Sequence, residues 1–172
     1  MDYYVIVLRI IHILGGVFWA GASFALVGFV SPAAAQAGPA GGQFMQRLVL
    51  GTRWRFVISA AAGLAVLTGL LLYWRASGGL RPEWLSTGTG IAFTIGGLAG
   101  VTAMVFGFQV GNSSSQLAEL GKRIGTAGGP PSPEDVARLA ALQARLQSLG
   151  TVTAALLVIT LLGMSTARYL SF

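Results

Sequence analysis

Four long apolar runs alternate with short polar connections along the chain: Tyr3 to Val30, Phe56 to Trp74, Ile91 to Val110 and Thr151 to Leu170. Each can cross a hydrocarbon core about 30 Å thick, which takes about 20 helical residues. Lipid offers no hydrogen-bond partners, so such runs must satisfy their backbone groups within a helix. The pattern predicts an all-α, polytopic membrane protein: a four-transmembrane-helix bundle forming a single membrane domain over residues 1-172.

The connections differ. Residues 31–51 carry Pro32, Pro39 and the pair Gly41 and Gly42, and read as a surface loop followed by an interfacial segment around Phe44 to Leu50. Between spans three and four, Ser132, Pro133, Glu134 and Asp135 form an N-cap, a first-turn proline and first-turn acids. They open an amphipathic run with Leu139, Leu142, Leu146 and Leu149. Leu117, Leu120 and Ile124 extend span three outward, and Gly125 to Pro131 supply the turn. The expectation is a cytoplasmic helical hairpin over about residues 111-149, either packed on itself or available to a partner. Gly96, Gly100, Ala103, Gly107 and Gly111 line span three, and Ser59, Gly63 and Gly69 mark span two. Such small residues let helices approach closely, within a bundle or across an oligomer face.

Composition strengthens the membrane assignment. Of 172 residues, 54% are apolar and 9% charged, against about 25% charged in soluble domains. The net charge of +6 would suit a nucleic-acid binder in a soluble chain. Here the basic residues flank spans, so lipid headgroups and orientation account for them and no nucleic-acid partner is expected. The connections after spans one and three hold Arg47, Arg53, Arg55, Lys122, Arg123, Arg138 and Arg145. The opposite side holds Arg9, Arg75, Arg81 and Arg168. This bias puts both termini outside, where Tyr3, Tyr4, Tyr73, Trp74, Trp84 and Tyr169 would form an aromatic belt. Asp2 and the length of the first run do not fit a cleaved signal peptide, so span one is expected to be retained.

The chain has no cysteine, which removes disulfides, thiolate nucleophiles and cysteine-ligated metals. Its five carboxylates, Asp2, Glu83, Glu119, Glu134 and Asp135, lie outside the spans, so no paired acids offer a proton relay. No nucleotide or hydrolase motif can be assembled. His12 remains, an ionisable residue within a span and therefore a functional candidate. Arg9, His12, Gly16, Trp19 and Ser23 share its helix face.

Three readings fit that stripe. A neutral imidazole is an axial ligand for haem iron, Gly16 would let the flat ring approach, and Arg9 could pair with a propionate. Imidazole with a Met thioether would also hold copper. Alternatively, His12 is hydrogen-bonded to a neighbouring helix, with Trp19 as filler. If span four runs outward, Met164 lies near the depth of His12 and is the better second ligand than the deeper Met104, unless it is simply core packing. Arg168 follows Met164 by one turn. Thr68 and Gly69 fall at the same depth, and Gln109 with Asn112 forms a smaller polar patch near the cytoplasmic end.

The stretch Leu8-Arg9-Ile10-Ile11-His12-Ile13-Leu14, with Trp19-Ala20-Gly21 beyond it, resembles the first helix of the CopD/HemJ-like superfamily. The run from Trp54-Arg55-Phe56 to Leu67-Thr68-Gly69-Leu70-Leu71-Leu72 is similar to the next helix of the CopD domain. Met164-Ser165-Thr166-Ala167-Arg168-Tyr169 looks like the C-terminal end of small four-helix proteins of that neighbourhood. The likeness covers about half of the chain. It implies a bacterial plasma (inner) membrane protein whose first-helix histidine serves haem b or a metal. CopD proteins are associated with copper movement and HemJ proteins with haem-dependent protoporphyrinogen oxidation. HemJ-type activity is linked to an intramembrane lysine, whereas the lysine here is Lys122, in a loop, which argues against that oxidase activity. A histidine- and methionine-rich copper path is also missing. The expectation is electron transfer or cofactor handling, with cofactor contacts at His12, Arg9, Gly16, Trp19, Met164 and Arg168 and metal ligands His12 and Met164. Its rivals are a non-catalytic, cofactor-free subunit of a larger membrane complex, meeting other membrane subunits or copies of itself, and a copper-transport protein.

Overall fold

The structure, a computed structural model, describes residues 2–170. It is 89% helical, with no strand among the described residues. Helix α1 (Tyr3–Ala25) runs through a π-helical turn, Leu26–Val30, into α2 (Ser31–Gln36), and α3 (Gly38–Gly51) follows. Span two is α4 (Trp54–Ala76), and a turn with the short α5 (Pro82–Leu85) leads to α6 (Gly88–Thr126). Helix α7 (Pro133–Thr166) ends in a 3₁₀ turn, Ala167–Tyr169.

Residues 31–51 therefore form two helices, where a surface loop over the first half and then an interfacial segment were expected. Pro39 stands in the first turn of α3, where the missing N–H costs nothing, whereas Pro32 is the second residue of α2, which continues from the π turn through helical Val30 and Ser31. Ahead of Pro32 the Ser31 N–H reaches back five residues to the Leu26 carbonyl. That wider π turn passes the chain from α1 into α2 without a break. Gly38, at φ +58°, makes the bend between α2 and α3. Gly41 lets the two touch, because a Cβ there would lie 1.9 Å from the Ala34 carbonyl oxygen.

The four long helices pack in a ring, α1 on α4, α4 on α6, α6 on α7 and α7 on α1. Their shared core is Trp19, Ala20, Ala62, Ala103 and Leu157. Apart from Trp19 and Leu157 that shared core is built of small side chains, and many large apolar ones point outward. Leu14, Leu98 and Phe56 are 65%, 65% and 73% exposed. A soluble bundle would bury these residues, whereas lipid is as apolar as leucine and leaves packing to small residues. With four helices long and apolar enough to cross, the chain is a multi-pass membrane protein.

Helix α6 has 39 residues, about 58 Å at 1.5 Å per residue, well beyond the roughly 30 Å a span requires. The excess pairs with the first half of α7 as the expected hairpin. Its turn is closed by Ser132, which accepts from the Asp135 N–H at 3.1 Å while its hydroxyl donates to the Asp135 carboxylate at 2.9 Å. Arg123 pairs with the same carboxylate across the turn. The hairpin is packed on itself through Ala118, Leu120 and Leu142, and α3 lies against it, with Gln46 donating to the Ala118 carbonyl at 3.4 Å. Asp2 and the Ala167–Tyr169 turn lie at the other end of the bundle, against Arg75 and Thr89.

Candidate functional site

His12 sits half-buried where α1 meets α4. Two glycines create the place. Gly15 brings α1 close, since a Cβ there would lie 3.1 Å from the Ala61 carbonyl oxygen. Gly69 of α4 faces the imidazole, and a Cβ there would stand 2.8 Å from its Cε1 and 3.0 Å from its Nδ1. The ring thus meets the α4 backbone with its Nδ1–Cε1 edge, and its Nδ1 is 2.7 Å from the Ala65 carbonyl oxygen. A carbonyl only accepts, so Nδ1 carries the proton, and in a neutral imidazole the lone pair is then on Nε2. Thr68 Oγ donates to the same carbonyl at 3.2 Å and to the Leu64 carbonyl at 2.6 Å. The His12 bond ties α1 to α4, while both Thr68 bonds stay within α4.

The other candidates are spread around this point. Gly16, one turn from His12, has nothing within 4 Å of where a Cβ would stand. Trp19 is 6% exposed and belongs to the common core. Arg9 is exposed. Arg168 is also exposed, stacks 4.7 Å above the Tyr169 ring and donates to its hydroxyl. Arg75 is paired with Asp2. Arg168 and Arg75 are thus engaged separately, with Tyr169 and Asp2. Met164, half-buried on α7, lies at the α6–α7 seam, its backbone N 3.4 Å from the Cβ position of Gly96.

The geometry favours some chemistries over others. Among the described residues no three His, Cys, Asp or Glu side chains come together as a metal cage, so a copper site would rest on His12 and thioethers alone. A haem needs less from the chain. An imidazole oriented through Nδ1–H···O=C, with its other nitrogen free, is the usual form of a protein ligand to a metal, and the clearance at Gly16 suits a flat ring. An imidazole held this way has one nitrogen available for a single ligand bond.

The sequence pointed to His12 and Gly69 separately, and it missed the Ala65 carbonyl, which has no residue-type signature. It also missed a cavity in the opposite, hairpin half of the bundle. That cavity of about 130 Å³ lies between Trp19 and Ser23 of α1, Arg55 and Ser59 of α4, and Met104 and Ser114 of α6, among others. Inward-facing Ser23, Ser59 and Ser114 in otherwise apolar helices were the available signal. Comparison of the chain with protein-family profiles, curated proteins and solved structures finds no match.

Proposed function

We propose that the protein binds a haem b, or a related metal site, through His12 and serves electron transfer or cofactor handling in a bacterial plasma membrane, as its CopD/HemJ-like stretches imply. The observation that carries this is the His12 Nδ1 bond to the Ala65 carbonyl at 2.7 Å, against a glycine that alone leaves the ring room. It fixes the imidazole and leaves Nε2 for iron. When bound, haem would supply one-electron iron chemistry. Arg9 and Arg168 are the cations near that end for its propionates. The excess of Lys and Arg beside the hairpin and α3 supports a cytoplasmic hairpin and external termini.

The test is an absorption spectrum of the protein purified in mild detergent from haem-replete cells, beside His12→Ala. The expected result is a Soret band corresponding to about one haem per chain, absent from the variant. A colourless wild-type protein that stays colourless when haem is added back overturns the proposal. A second reading draws on the same bond: His12 as a tie between α1 and α4 in a cofactor-free subunit of a larger complex. It predicts that protein without colour, co-purifying with fixed membrane partners. Copper transport has less support, because among the described residues no three His, Cys, Asp or Glu side chains come together.

A further inference from the structure

The cavity in the hairpin half is not explained by His12, and its chemistry is uneven in a consistent direction. Arg55 is the one charged group in its lining, accompanied by Ser23, Ser59, Asn112 and Ser114. Among the described residues the ion pairs are Arg75 with Asp2 and Arg123 with Asp135, so no carboxylate pairs with Arg55. Arg55 is the second residue of α4, at the level where span two enters the membrane and where headgroups lie.

Beside this cavity runs a second depression of about 570 Å³, lined almost wholly by apolar side chains. The two share Leu26, Leu48 and Trp54. The depression follows α1 from Val30 to Val17, about 20 Å at 1.5 Å per residue. That is enough for an acyl chain reaching through one leaflet, whose hydrocarbon half is about 15 Å deep. Gly21 and Ala25 leave its floor low, and Phe44 and Trp54 stand at its mouth.

We propose that these two depressions form one binding site for an anionic phospholipid of the surrounding leaflet. Its phosphate sits on the Arg55 guanidinium and the hydroxyl and amide groups around it, and one acyl chain lies along α1 between α3 and the start of α4. Charge complementarity selects the headgroup: a lone guanidinium among neutral donors favours a phosphate, and arginine holds phosphate through two parallel hydrogen bonds. Arg47 and Arg53 nearby add a diffuse attraction for anionic lipid. The site does not depend on the assignment of His12.

The experiment is native mass spectrometry of the full chain released from nanodiscs of equal phosphatidylglycerol and phosphatidylcholine. The wild-type protein should retain one phosphatidylglycerol per chain in preference to phosphatidylcholine. Arg55→Gln should lower that retention about tenfold, as expected for loss of a charge-assisted hydrogen bond, while Arg53→Gln leaves it near wild type. Gly21→Leu tests the tail end independently: a Cβ at Gly21 meets nothing within 4 Å, so with a wild-type thermal midpoint confirming the fold, its side chain should fill the groove and lipid should be lost. Equal retention of both lipids, or equal losses in Arg53→Gln and Arg55→Gln, would overturn the proposal in favour of general surface charge. Lipid displaced by excess inorganic phosphate would overturn it in favour of a free-anion site. A lipid-free dimer would mean that a second copy covers the groove.

Discussion

Gly69 is the residue on which the His12 arrangement turns most sharply. Any Cβ there would meet Cε1 at 2.8 Å, below ordinary contact, and the obstacle is a ring packed between two helices. Gly69→Ala should expel the imidazole from Ala65 and cost about 1–3 kcal/mol, the usual penalty for overpacking, read as a lower thermal midpoint in detergent. On the haem proposal it should also reduce the Soret absorbance towards that of His12→Ala. An unchanged midpoint and spectrum would show that the imidazole does not lie on α4. The His12 and Gly69 identities were legible because an in-span histidine and an in-span glycine are each conspicuous. Their pairing was not, since it depends on how α1 crosses α4. Met164 shows the same limit: counting residues estimates its depth, but its direction around α7 follows from the close seam with Gly96.

At the scale of elements, the α6–α7 seam brings the backbones of two spans into close contact. A Cβ on Gly163 would lie 2.9 Å from the Ala92 carbonyl oxygen and 3.0 Å from the Gly96 Cα, and neither backbone atom can yield without parting the helices. Gly163→Ala should destabilise the bundle by about 1–3 kcal/mol. Gly97→Ala, where nothing lies within 4 Å, should be neutral or stabilising by up to about 1 kcal/mol, through reduced freedom of the unfolded chain. Thermal unfolding of the pair in one detergent checks both signs. The glycine stripe of span three was visible in the sequence, but which of its members meets α7 was not.

The hairpin turn carries a pH dependence. The hydroxyl of Ser132, together with the charge and hydrogen bond of Arg123, holds the Asp135 carboxyl below its ordinary value of 3.8. A carboxyl depressed on folding stabilises the folded turn above its unfolded pKa, and that contribution disappears as pH falls through the lower, folded value. Amide exchange at the start of α7 should therefore be constant near neutrality and accelerate, relative to the intrinsic rate, once pH drops below about 4. Asp135→Asn should abolish this acid step. The capping pattern at Ser132 was legible because it is local. The first half of residues 31–51 was misread because proline and glycine signal a break in a helix and the start of the next one equally well, and the π turn at Leu26–Val30 has no sequence signature that separates the two.

For the molecule as a whole, the inside-out distribution of large and small apolar residues was legible from hydropathy and composition, whereas orientation rests on charge alone. Seven basic residues lie in the connections after spans one and three and four on the terminal side. Basic residues close to a span resist translocation, so the hairpin end should face the cytoplasm. The chain has no cysteine, so one introduced thiol reports one position without background. Ser86 and Ala127 are both exposed and stand at opposite ends of the bundle. In intact cells a membrane-impermeant maleimide should label Ser86→Cys, and Ala127→Cys only after permeabilisation. The reverse pattern would invert the protein and move the Arg55 cavity to the outer leaflet. It would also put His12 near the cytoplasmic surface, so that an electron partner for a haem there would have to be sought on that side.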